Sequence, residues 1–552
     1  MRQLDLPEIL ARLLSFRASS VEEARTFLSP TLKKSLPDPS VLQGMDEAVA
    51  RVEKAILEKE EILIWGDYDV DGITSTVLLL RFFSSIGISA SFHVPTRAQG
   101  YGATQDTLHS VWKDEAPPRL VLMVDCGVTA HETLEELRSR GADVVVLDHH
   151  APEDTIPQAH AIVDPYLPGN PEELKQCCAA GVVFLFLVGL NRALRSSFPS
   201  YQEPDLRLLL DLVALGTVCD VMPLVELNRA YVAQGLKVIN GRTNLGIREL
   251  ARVACLRAEI SVHHIAFSFG PRLNAPGRLD NAEPSVRLLL SQTGQEAASW
   301  AVELDRLNRE RQELEVRVVE KAQQLAQAQR ERPFLVISGD NWAAGVLGIV
   351  AGRLREQFYK PCCVISFDDE GNGRGSGRSV PGMDLGSIIH QAKAEGLVVN
   401  GGGHALAAGF SLQRARLEDL ESFLQKSAQE KDFRSPPLVI EGTLSLSGAT
   451  IGMVHLLKQL GPFGAGNPTP QFLFQNVSIE HTQRVGKDHL ACVLTQGDGV
   501  RVFSVLFRST GTVLERVLSA KRGSYDIVGV LNANLWRGKF APQIHITDVM
   551  ER

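Results

Sequence analysis

Three short apolar runs, each ending at an aspartate, set the pattern of the first half of the chain. The runs EILIWGD, RLVLMVD and ADVVVLD end at Asp67, Asp125 and Asp148. Helical-looking stretches such as GITSTVLLLRFFSSIG lie between them, and strands that alternate with helices are typical of β-α-β units around a parallel sheet. Because open α/β sheets bind ligands at the carboxyl ends of their strands, the pattern predicts that the three acids meet at one edge.

The second half shows three further patterns. Helical spacing in a highly charged stretch, with Leu304 and Leu314 on one face, predicts a long solvated helix from about Ala297 to Arg332 that joins two lobes. A new apolar pattern begins at about Pro333 and fades near EKDFRSPP, which indicates a second α/β lobe. From Leu438 apolar and polar residues alternate between glycine-containing turns, as in a small β-barrel of the OB type.

The predicted fold is therefore α/β, with two α/β lobes joined by a long helix and followed by an OB-type β-barrel. The chain of 552 residues is longer than one core usually supports. The predicted parts are an N-terminal helical segment 1–45, a parallel-sheet catalytic domain 46–280, a connecting helix 281–332, a substrate-binding domain 333–434 and a nucleic-acid-binding barrel 435–552.

Composition narrows the class of protein. The 44% hydrophobic and 22% charged residues are ordinary for a soluble globular protein, and the longest apolar run, AAGVVFLFLVGL, is shorter than the roughly 18 residues that a membrane span needs. We expect no export and no membrane partner. Eight cysteines without a C-x-x-C motif favour the reducing cytoplasm. The net charge of -8 argues against a generally basic surface, although a local arginine groove for nucleic acid stays open.

The motif DYDVDG crowds three acids into five positions. Carboxylates this close raise one another's pKa, so a positive group is expected between them. The spacing resembles a calcium-binding EF-hand loop, but Leu78 stands where the closing glutamate belongs, which excludes that site. A further acid follows the apolar stretch LLLDLVALGTVC, and the motif DHH adds two imidazoles. The candidate residues are Asp67, Asp69, Asp71, Asp125, Asp148, His149, His150 and Asp220.

These donor types predict a metal site. Carboxylates with imidazole suit Mn²⁺, Mg²⁺ is the harder alternative, and the absence of thiolates argues against zinc. Two divalent ions about 4 Å apart can clamp the attacking and leaving oxygens of an in-line phosphoryl displacement. Asp125 or Asp69 is the natural bridge between two ions, His149 is expected to bind one ion, and His150 to contact a phosphate.

The second lobe carries residue types that bind phosphate without a metal. In the motif SGRS, the hydroxyls of Ser376 and Ser379 flank Arg378, whose guanidinium can hold phosphate oxygens in a bidentate manner. In the motif GGGH, glycines 401–403 allow backbone amides to approach an anion, and His404 can donate as well. A competing interpretation is that this histidine only orders its own loop, in which case it should be buried.

Together these motifs resemble those of a known superfamily. DYDVDG, the acid in VDCG, DHH, the acid in GTVCDVMPL, and GGGHALAAG occur in the order found in DHH phosphoesterases. GPRLNAPGRL, GSGRSVPGMDL and LGPFGAGNPTPQF narrow the resemblance to the RecJ family of bacterial exonucleases. The resemblance extends from about residue 45 to the C-terminus. It implies hydrolysis of single-stranded DNA from the 5′ end to 5′-mononucleotides, with Mn²⁺ or Mg²⁺, in DNA repair and recombination.

The resemblance also implies roles for individual residues. The implied metal ligands are Asp69, Asp71, Asp125, His149 and Asp220, with Asp67 and His150 assisting catalysis. The implied substrate-binding residues are Arg272, Asn274, Arg278, Ser376, Arg378, Ser379, Gly402, Gly403 and His404. The expected partners are single-stranded DNA, a single-strand-binding protein and a RecQ-type helicase. One position departs from the pattern: Ala343 follows Trp342 where a histidine is expected, which puts substrate positioning at that loop in doubt.

Three related functions remain as alternatives. DHH enzymes that cleave short oligoribonucleotides or cyclic dinucleotides generally lack the long helix and the barrel. A manganese pyrophosphatase has a smaller substrate that needs no barrel. A replication scaffold that has lost catalysis should show broken metal motifs, whereas all of them are intact here.

The C-terminal segment has the residue types of a single-strand-binding surface. Aromatic side chains can stack on bases while basic side chains hold the backbone, without reading sequence. The competing expectation is that at least half of these aromatic side chains fill the barrel core. The candidates are Arg484, Lys487, Arg501, Phe503, Lys521, Arg522, Trp536, Arg537, Lys539 and Phe540.

Overall fold

The structure, a computed structural model, describes residues 4–96, 99, 102–112, 117–198, 201–429, 433, 437–486, 488–497, 499–521, 523–536 and 539–552. The chain divides into two compact units. The smaller unit comprises Met1–Asp38, Val221–Lys237 and Pro437–Arg552, and the larger unit comprises Pro39–Asp220 and Val238–Pro436.

The strands are β1 Ile62–Trp65, β2 Ser91–His93, β3 Leu120–Val124, β4 Asp143–Leu147, β5 Ala161–Val163, β6 Leu335–Asp340, β7 Cys362–Phe367, β8 Asn372–Arg378, β9 Asn400–His404, β10 Ala407–Gln413, β11 Gly442–Thr443, β12 Gln471–Val485, β13 His489–Thr495, β14 Arg501–Leu506, β15 Tyr525–Trp536 and β16 Lys539–Glu551. The helices are α1 Glu8–Ser15, α2 Val21–Leu28, α3 Leu32–Ser35, α4 Met45–Glu58, α5 Val70–Ser85, α6 Gln105–Trp112, α7 His131–Ser139, α8 Ala179–Ser197, α9 Leu210–Cys219, α10 Glu226–Gly241, α11 Leu245–Val253, α12 Val262–His264, α13 Gly270–Leu279, α14 Glu283–Leu290, α15 Gly294–Ala328, α16 Leu347–Phe358, α17 Leu385–Ala394, α18 Leu417–Ala428, α19 Ile451–Lys458 and α20 Val513–Ala520.

The first lobe of the larger unit, which we call the catalytic lobe after the prediction from sequence, is built on a parallel sheet in the order β2-β1-β3-β4-β5. The three apolar runs of the sequence form β1, β3 and β4, as predicted. Every residue of β1 and β3 is buried, which is usual for parallel strands that helices cover on both faces. The acids that follow these strands therefore share the carboxyl edge of the sheet.

Helix α8 is apolar over its first twelve residues, AAGVVFLFLVGL, and carries polar residues only in its last two turns. By length and composition alone it could cross a membrane, with a mean hydropathy of 1.4 over the relevant window, but 72% of that window is buried inside the protein. The helix packs against α4, α5 and α9. It is therefore the central core helix of the catalytic lobe.

The second lobe of the larger unit is a five-stranded sheet in the order β6-β7-β8-β10-β9. The pair β6–β7 is parallel and the remaining pairs are antiparallel. Apolar clusters lie on both faces of the sheet, one against α15 and α16 and the other against α17 and α18. The position of β8 between β7 and β10 places Arg378 at the end of a central strand.

The predicted long helix exists as α15, but it is not solvated all round. Ala301 and Leu304 are buried in its first half, where it packs against α11, α13 and α14. Val318 and Ala322 belong to the core that includes β6 and α16. One face of the helix is therefore part of the core of both lobes, and the expectation of a solvated connector was wrong for that face.

The smaller unit contains the predicted β-barrel. Its sheet has the order β11-β12-β13-β14-β16-β15, and pairing of β12 with β15 closes it. Leu10, Leu13 and Leu14 of α1 lie in the same core as Phe472 and Phe474 of β12. The N-terminal helices therefore share a hydrophobic core with the barrel.

Arg229 fixes the segment Val221–Lys237 within the smaller unit. This arginine is 2% exposed, stacks on Phe27 at 3.6 Å, and donates to the carbonyl oxygens of Leu460, Gly461 and Pro462. Removal of the chain after about Arg434, which itself lies outside the described residues, would take away these acceptors and expose the apolar face of α1. The role of the barrel is therefore better tested by point substitutions than by truncation.

Candidate metal centre and phosphate-binding surface

The DYDVDG motif folds into a loop followed by a helix N-terminus. Asp69 caps α5, and its side chain accepts hydrogen bonds from the backbone N–H groups of Asp71 and Gly72 at 2.9 and 3.2 Å. A Cβ atom at Gly72 would lie 2.6 Å from the carbonyl oxygen of Asp67, so only glycine permits this tight turn. The turn is what directs all three carboxylates of the motif to the carboxyl edge of the sheet.

Asp125 occupies the centre of the acid cluster. It follows β3 with φ of 59°, a left-handed conformation that is uncommon outside glycine. Both of its carboxylate oxygens are buried, and neither accepts a hydrogen bond from a described residue. His149 Nε2 lies 3.2 Å from Asp125 Oδ1. A buried carboxylate without donors needs a counter-charge, and a divalent cation fits that need.

Other predicted ligands surround this pair. His149 Nε2 lies 3.7 Å from Asp71 Oδ2 and 3.7 Å from Asp220 Oδ2. The donor atoms form three overlapping groups, each within 4.8 Å. These groups are Asp125–His149–His150, Asp71–His149–Asp220 and Asp67–Asp69–Asp125. The structure thus brings together every residue that was predicted to hold metal, and carboxylate oxygens with imidazole suit Mn²⁺ or Mg²⁺.

Burial and mutual repulsion shift the titration of the cluster. Burial, and then the charge of Asp69, raise the pKa of Asp67 to about 8 and the pKa of Asp71 to about 7. The same two causes hold the pKa of Asp125 well above its ordinary value. Burial lowers the pKa of His149 to about 4, so its imidazole is neutral and can ligate a metal.

Asp148 orients the DHH motif and lies in none of the three donor groups. It accepts hydrogen bonds from the backbone N–H groups of Val128 and His149 and from His150 Nδ1, the last at 2.7 Å. Burial opposes its ionisation, but the hydrogen bond and charge of His150 hold its pKa below the ordinary value. Burial acts against the charge of His150 as well, yet Asp148 raises the pKa of that imidazole to about 9. The pair is therefore a buried, ionised support for the edge of the site.

Sequence reasoning missed one acid of this edge. Asp164 follows β5, is fully buried, and has one carboxylate oxygen, Oδ2, without a described hydrogen-bond partner. Burial, and then the charge of Asp148, raise the pKa of Asp164 to about 7. The signal was present in the sequence, since HAIVDPY is a fourth apolar run that ends at an aspartate.

The motif GPRLNAPGRL forms helix α13 despite its glycines and prolines. Arg272 is held by Asp305, with 3.0 Å between Nε and Oδ1, and by the carbonyl oxygen of Ser268. Arg278 donates to the carbonyl oxygen of Gly345 at 3.1 Å, and Asn274 is half-buried. Both arginines thus make internal contacts that the substrate-binding prediction did not anticipate.

In the SGRS motif, Ser376 and Arg378 are half-buried, whereas Ser379 is buried. Arg378 Nη1 donates to Ser376 Oγ at 3.3 Å and to the carbonyl oxygen of Gly377 at 2.8 Å. Burial, and then the charge of Arg355, lower the pKa of Arg378. Because its positive charge is therefore poorly compensated, a bound anion beside the guanidinium would stabilise it. Ser379 is 3% exposed and its hydroxyl donates to the carbonyl oxygen of Met383 at 2.7 Å, so its hydrogen atom is already used within the protein.

The GGGH motif lies on β9 at the edge of the second sheet. Gly403, with φ of 149°, leaves no room for a side chain, since a Cβ atom would lie 2.3 Å from the carbonyl oxygen of Ala407. Gly402 is half-buried beside it. His404 is exposed, and its ring lies 6.3 Å from the ring of His150 at an angle of 18°. The competing interpretation, that this histidine only orders its own loop, required a buried side chain, and the exposed ring beside His150 does not support it. Ala343, where the family pattern has a histidine, is half-buried and offers no side-chain hydrogen-bond donor.

The barrel exposes two of the predicted aromatic side chains. Phe503 and Phe540 are each 64% exposed, so neither fills the barrel core. Arg501 pairs with Glu480 at 2.7 Å, and Arg484 pairs with Glu515 at 2.8 Å, whereas Lys521 and Lys539 are exposed. Outside the described residues lie Lys487, Arg522, Arg537 and the side chain of Trp536.

Comparison with known proteins gives concordant matches along the chain. Three protein-family models match: the DHH family N-terminal domain at residues 61–217, the DHHA1 domain at 331–430 and the RecJ OB domain at 440–548. The chain is 32% identical to the single-stranded-DNA-specific exonuclease RecJ of Bacillus subtilis, over 99% of this chain and 68% of that protein. It is 34% identical to the protein of the same name from Escherichia coli, over 99% of this chain and 96% of that protein.

A solved structure agrees with these matches. RecJ from Thermus thermophilus in complex with Mn²⁺ superimposes with a TM-score of 0.82 at 30% identity, covering 100% of this chain and 76% of the solved one. The same protein in complex with Mg²⁺ gives a TM-score of 0.77 at 29% identity, over 100% and 75% of the two chains.

Proposed function

The chain belongs to the RecJ family of single-stranded-DNA-specific exonucleases, and from that premise we propose that it hydrolyses single-stranded DNA from the 5′ end to 5′-mononucleotides with Mn²⁺ or Mg²⁺, in DNA repair and recombination. The observation that carries the proposal is the donor set around Asp125, whose oxygens are buried without partners while His149 and two further acids converge on them. Intact donors also argue against a scaffold that has lost catalysis.

The residues that would hold two ions are Asp69, Asp71, Asp125, His149 and Asp220. When bound, the ions supply Lewis-acid stabilisation of the charge that develops on the phosphoryl oxygens. His149 offers a neutral nitrogen because burial lowers the pKa of its imidazole. His150, charged and held by Asp148, can donate a hydrogen bond to a phosphate oxygen. Asp67 has a buried oxygen, Oδ2, without a described partner, at which it can hold or release a proton.

The second lobe is proposed to hold the strand by its phosphates. Ser376 and Arg378 offer a hydroxyl and a guanidinium on one side of β8, and His404 faces His150 of the DHH motif. A guanidinium binds phosphate oxygens in a fixed, forked geometry, which positions the scissile bond without reading base sequence. The experiment that tests the whole proposal is digestion of end-labelled single-stranded DNA with and without Mn²⁺, with duplex DNA as the control.

Substitution of Arg378 by alanine should weaken DNA binding by about tenfold or more, because a charge-assisted hydrogen bond contributes roughly 1.5–3 kcal/mol. The salt dependence should also become shallower, by about 0.7 in the logarithmic slope for the loss of one phosphate contact on a single strand. Fluorescence anisotropy over a salt series measures both quantities. Arg416→Ala is the matched control, since Arg416 is a half-exposed arginine of the same lobe that pairs with Asp419. An unchanged salt slope for Arg378→Ala would argue against phosphate contact.

The exposed aromatic side chains of the barrel should stack on bases of long strands. Phe503→Ala and Phe540→Ala are each expected to raise the Kd for a long single strand about tenfold, because stacking contributes roughly 1–3 kcal/mol per base. Phe16→Ala is the matched control, since Phe16 lies in the same unit and is 66% exposed. Equal affinity of all three variants and the unaltered protein at matched salt would show that the barrel serves partners or stability instead.

We infer that the protein works in the cytoplasm with proteins that prepare or coat single strands. All eight cysteines are free and six of them are buried, which fits a reducing compartment. A RecQ-type helicase and a single-strand-binding protein are the proposed partners, since one class produces single strands and the other occupies them. Co-purification of each class with the tagged full chain, and fractionation of cells that express it, test these two proposals.

A further inference from the structure

A short distorted helical segment of the catalytic lobe presents an aromatic ring to solvent. Residues Ile265–Phe269, between α12 and α13, form one turn of π-helix, a feature that is rare and frequent at functional sites. Ile265 and Phe269 are fully buried at its two ends, whereas Phe267 between them is 63% exposed. The segment is thus anchored firmly while its central ring is held outward.

The exposed ring has a second ring beside it. The centroids of His263 and Phe267 lie 4.7 Å apart with an angle of 39° between the rings, and His263 is exposed as well. The ring of His264 lies 6.0 Å from that of His263 at an angle of 88°, and its Nδ1 accepts a hydrogen bond from the backbone N–H of Ser261 at 3.1 Å, which caps α12. We call His263 and Phe267 together the ring pair.

The segment that carries the ring pair packs against the helix that leads into the metal centre. The π-helical segment packs against α9, and a Cβ atom at Gly270 would lie 2.8 Å from Cys219 Sγ. Cys219 immediately precedes the predicted ligand Asp220. Arg272 also holds the segment in place, since it donates to the carbonyl oxygen of Ser268 at 2.9 Å and pairs with Asp305 of α15. This contact gives Arg272 the role of a positioning residue for the segment.

We propose that the ring pair is a stacking platform for a base of the single-stranded substrate beside the metal centre. The inference rests on the proposed function, which supplies the single strand. Apart from the residues proposed to hold phosphates, the side chains of the centre are mainly acidic and repel the DNA backbone, so a contact with a base adds affinity without depending on charge. An exposed phenylalanine provides such a contact for any base, because every base has a π-face.

The test compares Phe267→Ala, Phe267→Leu and Phe267→Trp in the full chain. The substrates are an end-labelled oligothymidylate and an oligonucleotide of equal length that carries abasic sites in place of bases. On oligothymidylate, Phe267→Ala should raise KM about tenfold. Phe267→Leu should behave like the alanine variant because it keeps apolar area without a ring, and Phe267→Trp should restore KM. On the abasic strand, the difference between Phe267→Ala and the unaltered protein should shrink to less than about twofold, since no base remains to stack.

Phe198→Ala is the matched control, because Phe198 is an exposed aromatic residue of the same lobe at the end of α8. An unchanged KM of Phe267→Ala on oligothymidylate, full rescue by leucine, or an equal loss on both substrates would overturn the platform. Failure of the unaltered protein to degrade oligothymidylate with Mn²⁺ would instead overturn the proposed function, so the two outcomes are distinguishable.

Discussion

The His149→Ala and Asp220→Asn variants are expected to lose nuclease activity by about two to four orders of magnitude, because a catalytic metal supplies several kcal/mol of transition-state stabilisation and each tenfold in rate corresponds to about 1.4 kcal/mol. The loss should be largest for His149, since its Nε2 lies within 3.7 Å of Asp71, Asp125 and Asp220 and, among the described residues, no other imidazole is paired with all three. Asp220→Asn keeps the shape of the side chain and removes only the charge.

Both variants should remain folded, because each removes a polar group from the edge of the sheet and leaves the apolar core intact. Circular dichroism and thermal unfolding of the metal-free proteins check this point. His109→Ala is a suitable control, since His109 is a half-exposed histidine of the same lobe that contacts only Glu136 among the described ion pairs. Near-normal rates for either variant would show that the ligand assignment is wrong.

Chelation is expected to make the stability of the protein fall steeply as the pH rises from 6.5 to 8. The folded-state pKa values of Asp67 and Asp71 are raised to about 8 and about 7, whereas an unfolded aspartate titrates near 3.9. Between those values the folded state binds more protons than the unfolded state, so each group stabilises the fold at low pH and this contribution is lost as the pH rises through the folded pKa. The loss amounts to about 1.4 kcal/mol per pH unit for each carboxyl that is protonated only in the folded state.

Saturating Mn²⁺ should remove most of this pH dependence, since cations bound only by the folded state neutralise the acids. Thermal unfolding in chelator and in Mn²⁺ at the two pH values provides the four measurements. Asp125→Asn is the informative variant, because it removes a buried ionisable carboxyl from the centre of the cluster: its metal-free form should be more stable than the unaltered protein at pH 8, and Mn²⁺ should stabilise it less. A Tm in chelator that does not change between the two pH values would contradict a repulsive, metal-requiring cluster.

Local patterns were sufficient to predict much of the catalytic lobe. The acids Asp67, Asp125 and Asp148 each follow a short apolar run, and a parallel sheet brings the ends of such runs to one edge whatever the details of packing. The same rule would have found Asp164, which was missed only because its apolar run is short. The long helix and the barrel were predictable for a similar reason, since the period of their apolar residues is a local property.

Other features depended on partners far away in the chain. The family resemblance implied a substrate contact for Arg272, and the structure adds an ion pair between this partly buried arginine and Asp305 of α15. Ser379 lies in the same motif as Arg378, yet the fold turns its hydroxyl toward the carbonyl oxygen of Met383. Neither outcome follows from residue type, because the hydrogen-bond partner of a side chain is decided by which elements pack beside it.

By itself the sequence determined the order of the elements, the family motifs and the chemical types that could bind a metal. Tertiary structure alone decided that α1 shares a core with β12, that His149 stands among three carboxylates, and that Phe267 is left outside. The physical reason is that periodicity shows which face of an element is apolar but not which distant face it meets. The raised pKa values of Asp67 and Asp71 depend on that same packing, because burial is a property of the assembled core.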